Sequence, residues 1–189
     1  MLYVVGGVRG VTYLDSIMYV VCFASSTIRL YNTDTLSPLD VVINVTGMRL
    51  PSDIVVCRHD RQLFVADWPR CIWRVSVDDH SYIKWMTTQF NVRSLSITSR
   101  HLLVTSFHRP TVRQYNTTNK QLLCVVKLSQ YVKRVNHAVE TTHGTFVVCH
   151  LGTSQDEWQC AVSELLRFCH ILQQYYHTVI NAVKNVGRK

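Results

Sequence analysis

One short apolar run occurs four times in this chain, as Met18-Tyr19-Val20-Val21-Cys22, Leu63-Phe64-Val65-Ala66-Asp67, Leu102-Leu103-Val104-Thr105-Ser106 and Thr145-Phe146-Val147-Val148-Cys149. Successive copies begin about 40–45 residues apart. The second copy has the fullest context, with Pro51-Ser52-Asp53-Ile54-Val55-Val56 before it and Ile72-Trp73-Arg74-Val75 after it. Ile54 and Val56, Leu63 and Val65, and then Ile72 fall at strand spacing, and Arg58-His59-Asp60-Arg61 is a polar turn between the first two strands. Outer strands follow the turns Asn32-Thr33-Asp34-Thr35, Asp78-Asp79-His80-Ser81 and Asn116-Thr117-Thr118-Asn119, at Asp40-Val41-Val42-Ile43, Tyr82-Ile83-Lys84-Trp85 and residues 122–128. A unit of this length with four short strands and polar turns cannot bury its faces alone, and it reads as one blade of a β-propeller. The expected fold is all-β, with three full blades and a partial fourth over residues 1–152.

The residues Pro51-x-Asp53-Ile54-x-Val56, then Leu63-Phe64-Val65-Ala66-Asp67, then Ile72-x-Arg74-Val75 resemble an NHL repeat. The likeness spans residues 8–150 and is fullest in the second copy. The motif's aspartate is Asp67 there, and Cys22, Ser106 and Cys149 stand in its place elsewhere, so those copies lose whatever turn hydrogen bond the carboxylate makes. The family closes rings of about six blades, so the resemblance implies a partial propeller whose end blades lack neighbours. It also implies an RNA- or protein-binding face, as in NHL domains of some tripartite-motif proteins.

Residues 157–186 depart from the repeat. They contain no Gly or Pro, and Trp158, Val162, Leu165, Cys169, Leu172, Tyr176, Val179 and Val183 recur at three- or four-residue steps. That period predicts an amphipathic helix within a tail over residues 153–189, with Thr153-Ser154-Gln155-Asp156 as its capping region. The alternative is a fourth blade continuing through Cys160-Ala161-Val162 and Leu165-Leu166-Arg167-Phe168.

With 189 residues, 47% of them hydrophobic and 17% charged, the chain reads as one globular domain rather than a disordered one. Its longest apolar stretch, residues 17–24, is far short of the roughly 20 needed to cross a bilayer. Met1 to Arg9 has no basic lead-in and reads as a strand, not a signal peptide. Seven cysteines without a CxxC pair read as reduced thiols and favour a cytoplasmic setting. The sequons Asn44-Val45-Thr46 and Asn116-Thr117-Thr118 favour an extracellular one.

No catalytic signature is present: there is no GxSxG elbow, no phosphate-cradling glycine loop and no HExxH. His137, His143 and His150 fall on an inner strand, a turn and a loop, so a shared metal is not expected, and no cofactor is. The net charge of +8 is the one bulk property that points to a partner. In blade register, the connection from strand two to strand three carries Phe23, then Trp68 and Arg70, then Phe107, His108 and Arg109. The connection to the next blade carries Arg49, Arg93, Lys133 and Arg134, on the same rim. Basic groups neutralise phosphates, and exposed rings or guanidinium planes stack on unpaired bases. Arg29 and Arg113 share a strand-three position and are expected on the solvent side. The sequence therefore supports a non-enzymatic binding module, a protein–protein interaction scaffold first, with RNA binding through the basic, aromatic face as its narrower version. Self-association over open blade edges belongs to the same reading. The alternative is a fragment of a larger enzyme or tripartite-motif-type ubiquitin ligase whose catalytic part lies elsewhere, since the chain lacks the Cys/His zinc modules such a ligase needs.

Overall fold

The structure, a computed structural model, describes residues 7–98, 100–106, 108–128, 132–151 and 161–165. These residues form strands and turns only, arranged as four antiparallel sheets in chain order. The first sheet holds β1 (Val8–Leu14), β2 (Ile17–Cys22), β3 (Thr27–Asn32) and β4 (Pro38–Asn44). The second holds β5 (Pro51–Cys57), β6 (Gln62–Asp67), β7 (Cys71–Ser76) and β8 (Tyr82–Thr87). The third holds β9 (Val92–Thr98), β10 (His101–Ser106), β11 (Arg109–Asn116) and β12 (Leu122–Lys127), and the fourth holds β13 (Lys133–Glu140), β14 (Phe146–Leu151) and β15 (Ala161–Leu165). Strands follow one another within each sheet, and the first strands of successive sheets lie side by side, β1 on β5, β5 on β9 and β9 on β13.

The four-fold apolar run has a direct cause in this stacking. Leu63 and Val65 of β6 pack toward the first sheet with Ile54, Val56, Tyr19, Val21, Ile28 and Leu30, whereas Phe64 and Ala66 pack toward the third with Leu95, Leu102 and Val104. In β10 the same split recurs, because Leu103 joins Val112, Val135, Phe146 and Val148 in the core against the fourth sheet. A strand buried on both faces has no polar face to alternate with, so it reads as a continuous apolar run. Burying each such side chain contributes about 1.5–3 kcal/mol, and single sheets have nothing to bury it against. On β7, Trp73 and Val75 join the core of Leu63 and Val65, and Ile72 lies in the opposite core.

The turns repeat as closely as the strands. Asn32 Oδ1 accepts the Asp34 and Thr35 N–H groups, both at 2.9 Å, and Asn116 Oδ1 accepts those of Thr118 and Asn119 at 2.8 and 3.1 Å. In the second sheet Asp79 Oδ1 accepts the Ser81 N–H at 3.1 Å. Each of these turns closes on a left-handed residue, Leu36 (φ 54°), His80 (φ 59°) or Lys120 (φ 63°).

Within the span where the helical period was expected, residues 161–165 form β15, as the alternative of a continued fourth blade has it there, paired antiparallel with β14 from Phe146↔Leu165 to His150↔Ala161. The β14 edge supplies a row of N–H and C=O groups that a strand satisfies and a helix does not. The remainder of the 153–189 tail, and residues 1–6, lie outside the described residues.

Candidate ligand-binding mouth

Each first strand is bulged at the same place. On β1, Val8 pairs with Cys22 and Gly10 with Val21, which leaves Arg9 unpaired between them. On β5, Pro51 pairs with Asp67 and Asp53 with Ala66, which leaves Ser52. On β9, Val92 and Leu95 pair with Ser106 and Val104, so Arg93 and Ser94 face one residue of β10. β13 shifts register twice: Lys133 and Val135 pair with Leu151 and His150, which leaves Arg134, and Val135 and His137 pair with His150 and Cys149, which leaves Asn136 at the place shared with the other first strands. A bulge bends the strand and re-aims the extra side chain. Here it does so four times at one end of the sheet stack, and Arg9, Ser52, Arg93 and Asn136 all line a single cavity of about 620 Å³.

Phe23 and Trp68 stand over this cavity, 50% and 47% exposed. They are equivalent by backbone as well as by sequence, since the Phe23 N–H donates to Gly7 O and the Trp68 N–H to Leu50 O, each at 2.9 Å. The Arg9 guanidinium lies over the Phe23 ring, 4.7 Å from its centroid, a cation–π arrangement that holds the cation at the rim.

Asp53, Ser94 and His137 form the next layer of the cavity wall. The corresponding residue of β1 is Gly10, where a Cβ would sit 2.7 Å from Ile54 N and 3.0 Å from the Asp53 backbone, so β1 meets β5 there without a side chain between them. Asp53 Oδ1 accepts the Ile54 N–H and Oδ2 accepts the Leu95 N–H, both at 2.9 Å, the second bond joining two sheets. Burial pushes the Asp53 carboxyl above the ordinary carboxylate range, opposed by the Leu95 N–H, His137, the Ile54 N–H and Arg93. His137 Nδ1 is 2.9 Å from Ser94 Oγ and 3.9 Å from Asp53 Oδ2. Ser94 Oγ also lies 3.0 Å from Thr105 Oγ1. A serine–histidine–carboxylate relay needs the hydroxyl and the carboxylate on opposite ring nitrogens. Here both approach Nδ1, and the trio positions the wall rather than forming a nucleophile.

Of the residues singled out from sequence, Phe23, Trp68 and Arg93 meet at the cavity. Arg49, Arg70, His108, Arg109 and Arg134 are exposed outside its lining. Phe107 lies outside the described residues, and of Lys133 only the backbone, at the start of β13, is described. Arg93, Lys133 and Arg134 were expected in inter-blade connections, and Arg109 in the loop from strand two to strand three. They belong instead to β9, β13 and β11, because these strands pair up to their first residues. His150, expected at a loop, lies in β14. Arg113, expected on the solvent side, covers the Phe90 ring at 4.1 Å, and burial lowers its pKa.

Asp67 has a larger task than a turn bond. Its carboxylate accepts the N–H groups of Arg49 and Leu50, at 3.1 and 2.7 Å to Oδ1, and Trp73 Nε1–H at 3.0 Å to Oδ2. It thereby fixes the connection that delivers β5 and its Ser52 bulge. The matching Ser106 Oγ is buried without a hydrogen-bond partner among the described residues.

Arg9, Ser52, Asp53, Ser94, Asn136 and His137 were not singled out for this rim. The available signal was their shared place in the repeat, Arg9-Gly10, Ser52-Asp53, Arg93-Ser94 and Asn136-His137, each pair just ahead of an apolar strand. No protein-family model matches the chain, and no curated protein matches it. Solved structures do. The crystal structure of the computationally designed Ika4 protein is 11% identical, with 85% of this chain and 91% of that chain covered and a TM-score of 0.63. Hydrazine synthase of Kuenenia stuttgartiensis is 15% identical, with 86% of this chain covered and a TM-score of 0.64. The chain spans 46% of that hydrazine synthase chain. At such identities the likeness is one of fold.

Proposed function

We propose that this chain is a non-enzymatic binding module built from NHL-like blades of an incomplete β-propeller, and that a protein partner docks at the mouth formed by its first strands. Repetition of one strand order in successive sheets, with first strands adjacent, supports the propeller reading. The observation that carries the functional reading is the juxtaposition of two half-exposed aromatics, Phe23 and Trp68, with Arg9 and Arg93 on one cavity. Aromatic and arginine side chains are the groups that most often anchor protein interfaces, because they bury large areas at small entropic cost. Selection of peptides from a displayed library on the folded chain tests this. A selected peptide should lose at least about tenfold in affinity on the double variant Phe23→Ala/Trp68→Ala, with circular dichroism unchanged. Undiminished binding to that variant overturns the reading, and so does a chelator-sensitive hydrolase or lyase activity of the purified chain.

A second reading, RNA binding, is favoured by the same stacked Arg9–Phe23 pair, since rings and guanidinium planes both stack on unpaired bases. Filter binding of a single-stranded RNA at two salt concentrations decides it. Salt-insensitive or undetectable binding removes it, as does wild-type affinity in the double variant Arg9→Ala/Phe23→Ala.

A further inference from the structure

We propose that the four bulge residues Arg9, Ser52, Arg93 and Asn136 form an oxyanion subsite that takes the carboxylate of an acidic side chain on the protein partner. The proposal rests on the reading of this mouth as a protein-docking surface and names what the mouth recognises. Around the cavity the bulge positions carry two guanidinium groups, a carboxamide and a hydroxyl; the Ser52 hydroxyl donates to Ala66 O at 3.5 Å, so the donors come from the Arg9 and Arg93 guanidinium groups, which accept nothing, and the Asn136 carboxamide. Stacking on Phe23 uses a face of the Arg9 guanidinium and leaves its in-plane N–H fork for a planar partner. A carboxylate matches that fork with two parallel hydrogen bonds.

The acidic group already present, Asp53, does not fill this role. Its two oxygens accept the Ile54 and Leu95 N–H groups, which keeps it in the wall. Trp68 and Phe23 flank the same space and cover the aliphatic stem of an acidic side chain. A pendant carboxylate suits this geometry better than a nucleic-acid backbone. A phosphate chain needs cations that track it across the surface, and Arg49, Arg70 and Arg109 lie outside the cavity lining.

Isothermal titration of the folded chain with a hexaglutamate peptide, a hexaglutamine peptide and inorganic phosphate tests the subsite. Hexaglutamate should bind at one site and weaken with salt, and hexaglutamine should not bind. Arg9→Gln/Arg93→Gln should lose about tenfold or more, whereas the charge-matched Arg49→Gln/Arg70→Gln should lose about threefold at most. Equal losses in the two variants overturn the proposal by reducing it to general attraction to a basic chain. Phosphate binding without hexaglutamate binding overturns the carboxylate assignment. Should hexaglutamate fail while a library-selected peptide still depends on Phe23 and Trp68, the subsite falls and the docking surface stands.

Discussion

Gly10 and Asp79 show how much of this molecule is decided by single atoms. At Gly10 an added methyl group would meet backbone, not a flexible side-chain end, because the nearest atoms are Ile54 N and Asp53 C and Cα. Gly10→Ala should therefore cost about 1–3 kcal/mol, read as a lower denaturant midpoint with an unchanged slope. An unchanged midpoint would mean that β1 and β5 do not approach as closely as described. Asp79 is fully exposed, yet hydrogen bonds from Ser76 and from the Ser81 hydroxyl and N–H hold its carboxyl at about 2, below the ordinary Asp value of 3.8. For a depressed carboxyl, the stabilisation is complete above the ordinary value and is lost as pH falls through about 2. Carboxyl-carbon NMR should place the Asp79 midpoint there, and Ser81→Ala should move it upward. A midpoint near 3.8 in the wild type would remove the turn's contribution to acid stability.

Among elements, the connection that delivers β5 to the mouth hangs on one carboxylate. Asp67, 5% exposed, satisfies two backbone N–H groups and the Trp73 indole at once. Buried donors left unpaired cost about 1–3 kcal/mol each, so Asp67→Ala should destabilise by about 3 kcal/mol or more. Asp67→Asn should lose less, since it keeps one acceptor oxygen. Thermal unfolding of the two variants checks the order, and equal losses would deny the carboxylate its several partners. The other copies manage with Cys22, Ser106 and Cys149 at this position, so the second sheet is stapled in a way its neighbours are not.

At the scale of the whole molecule, each apolar core lies between two successive sheets, and stability is a sum of neighbouring interfaces. Leu63 belongs to the core between the first and second sheets, and Leu63→Ala should remove about 2–5 kcal/mol there. Hydrogen exchange should then show protection lost in β2, β3, β5 and β6 while β11 and β14 keep theirs. Uniform loss would mean that the sheets unfold as one unit. The outer face of β1 shows the same rule from the other side. Val11 and Tyr13, 51% and 58% exposed, occupy the repeat positions that in β5 are Ile54 and Val56, buried at 1% and 6% against the first sheet. Among the described residues nothing stands on β1 as β1 stands on β5. No helix of the described residues is long and apolar enough to cross a membrane.

The repeat of apolar runs, polar turns and small residues was enough to foresee an all-β chain of four-stranded units, because periodicity and turn chemistry are local properties written into consecutive residues. It was also enough to mark Phe23 and Trp68 as equivalents. Three things were decided only in three dimensions: the bulges that turn Arg9, Ser52, Arg93 and Asn136 into one cavity, the core that Ile72 joins, and the choice at residues 161–165 of strand over helix, two readings that the local residues both allowed. A bulge is one residue of slippage between two strands, and a free edge recruits whatever segment can pair with it. Both depend on neighbours far away in sequence, so no window of local residues contains them.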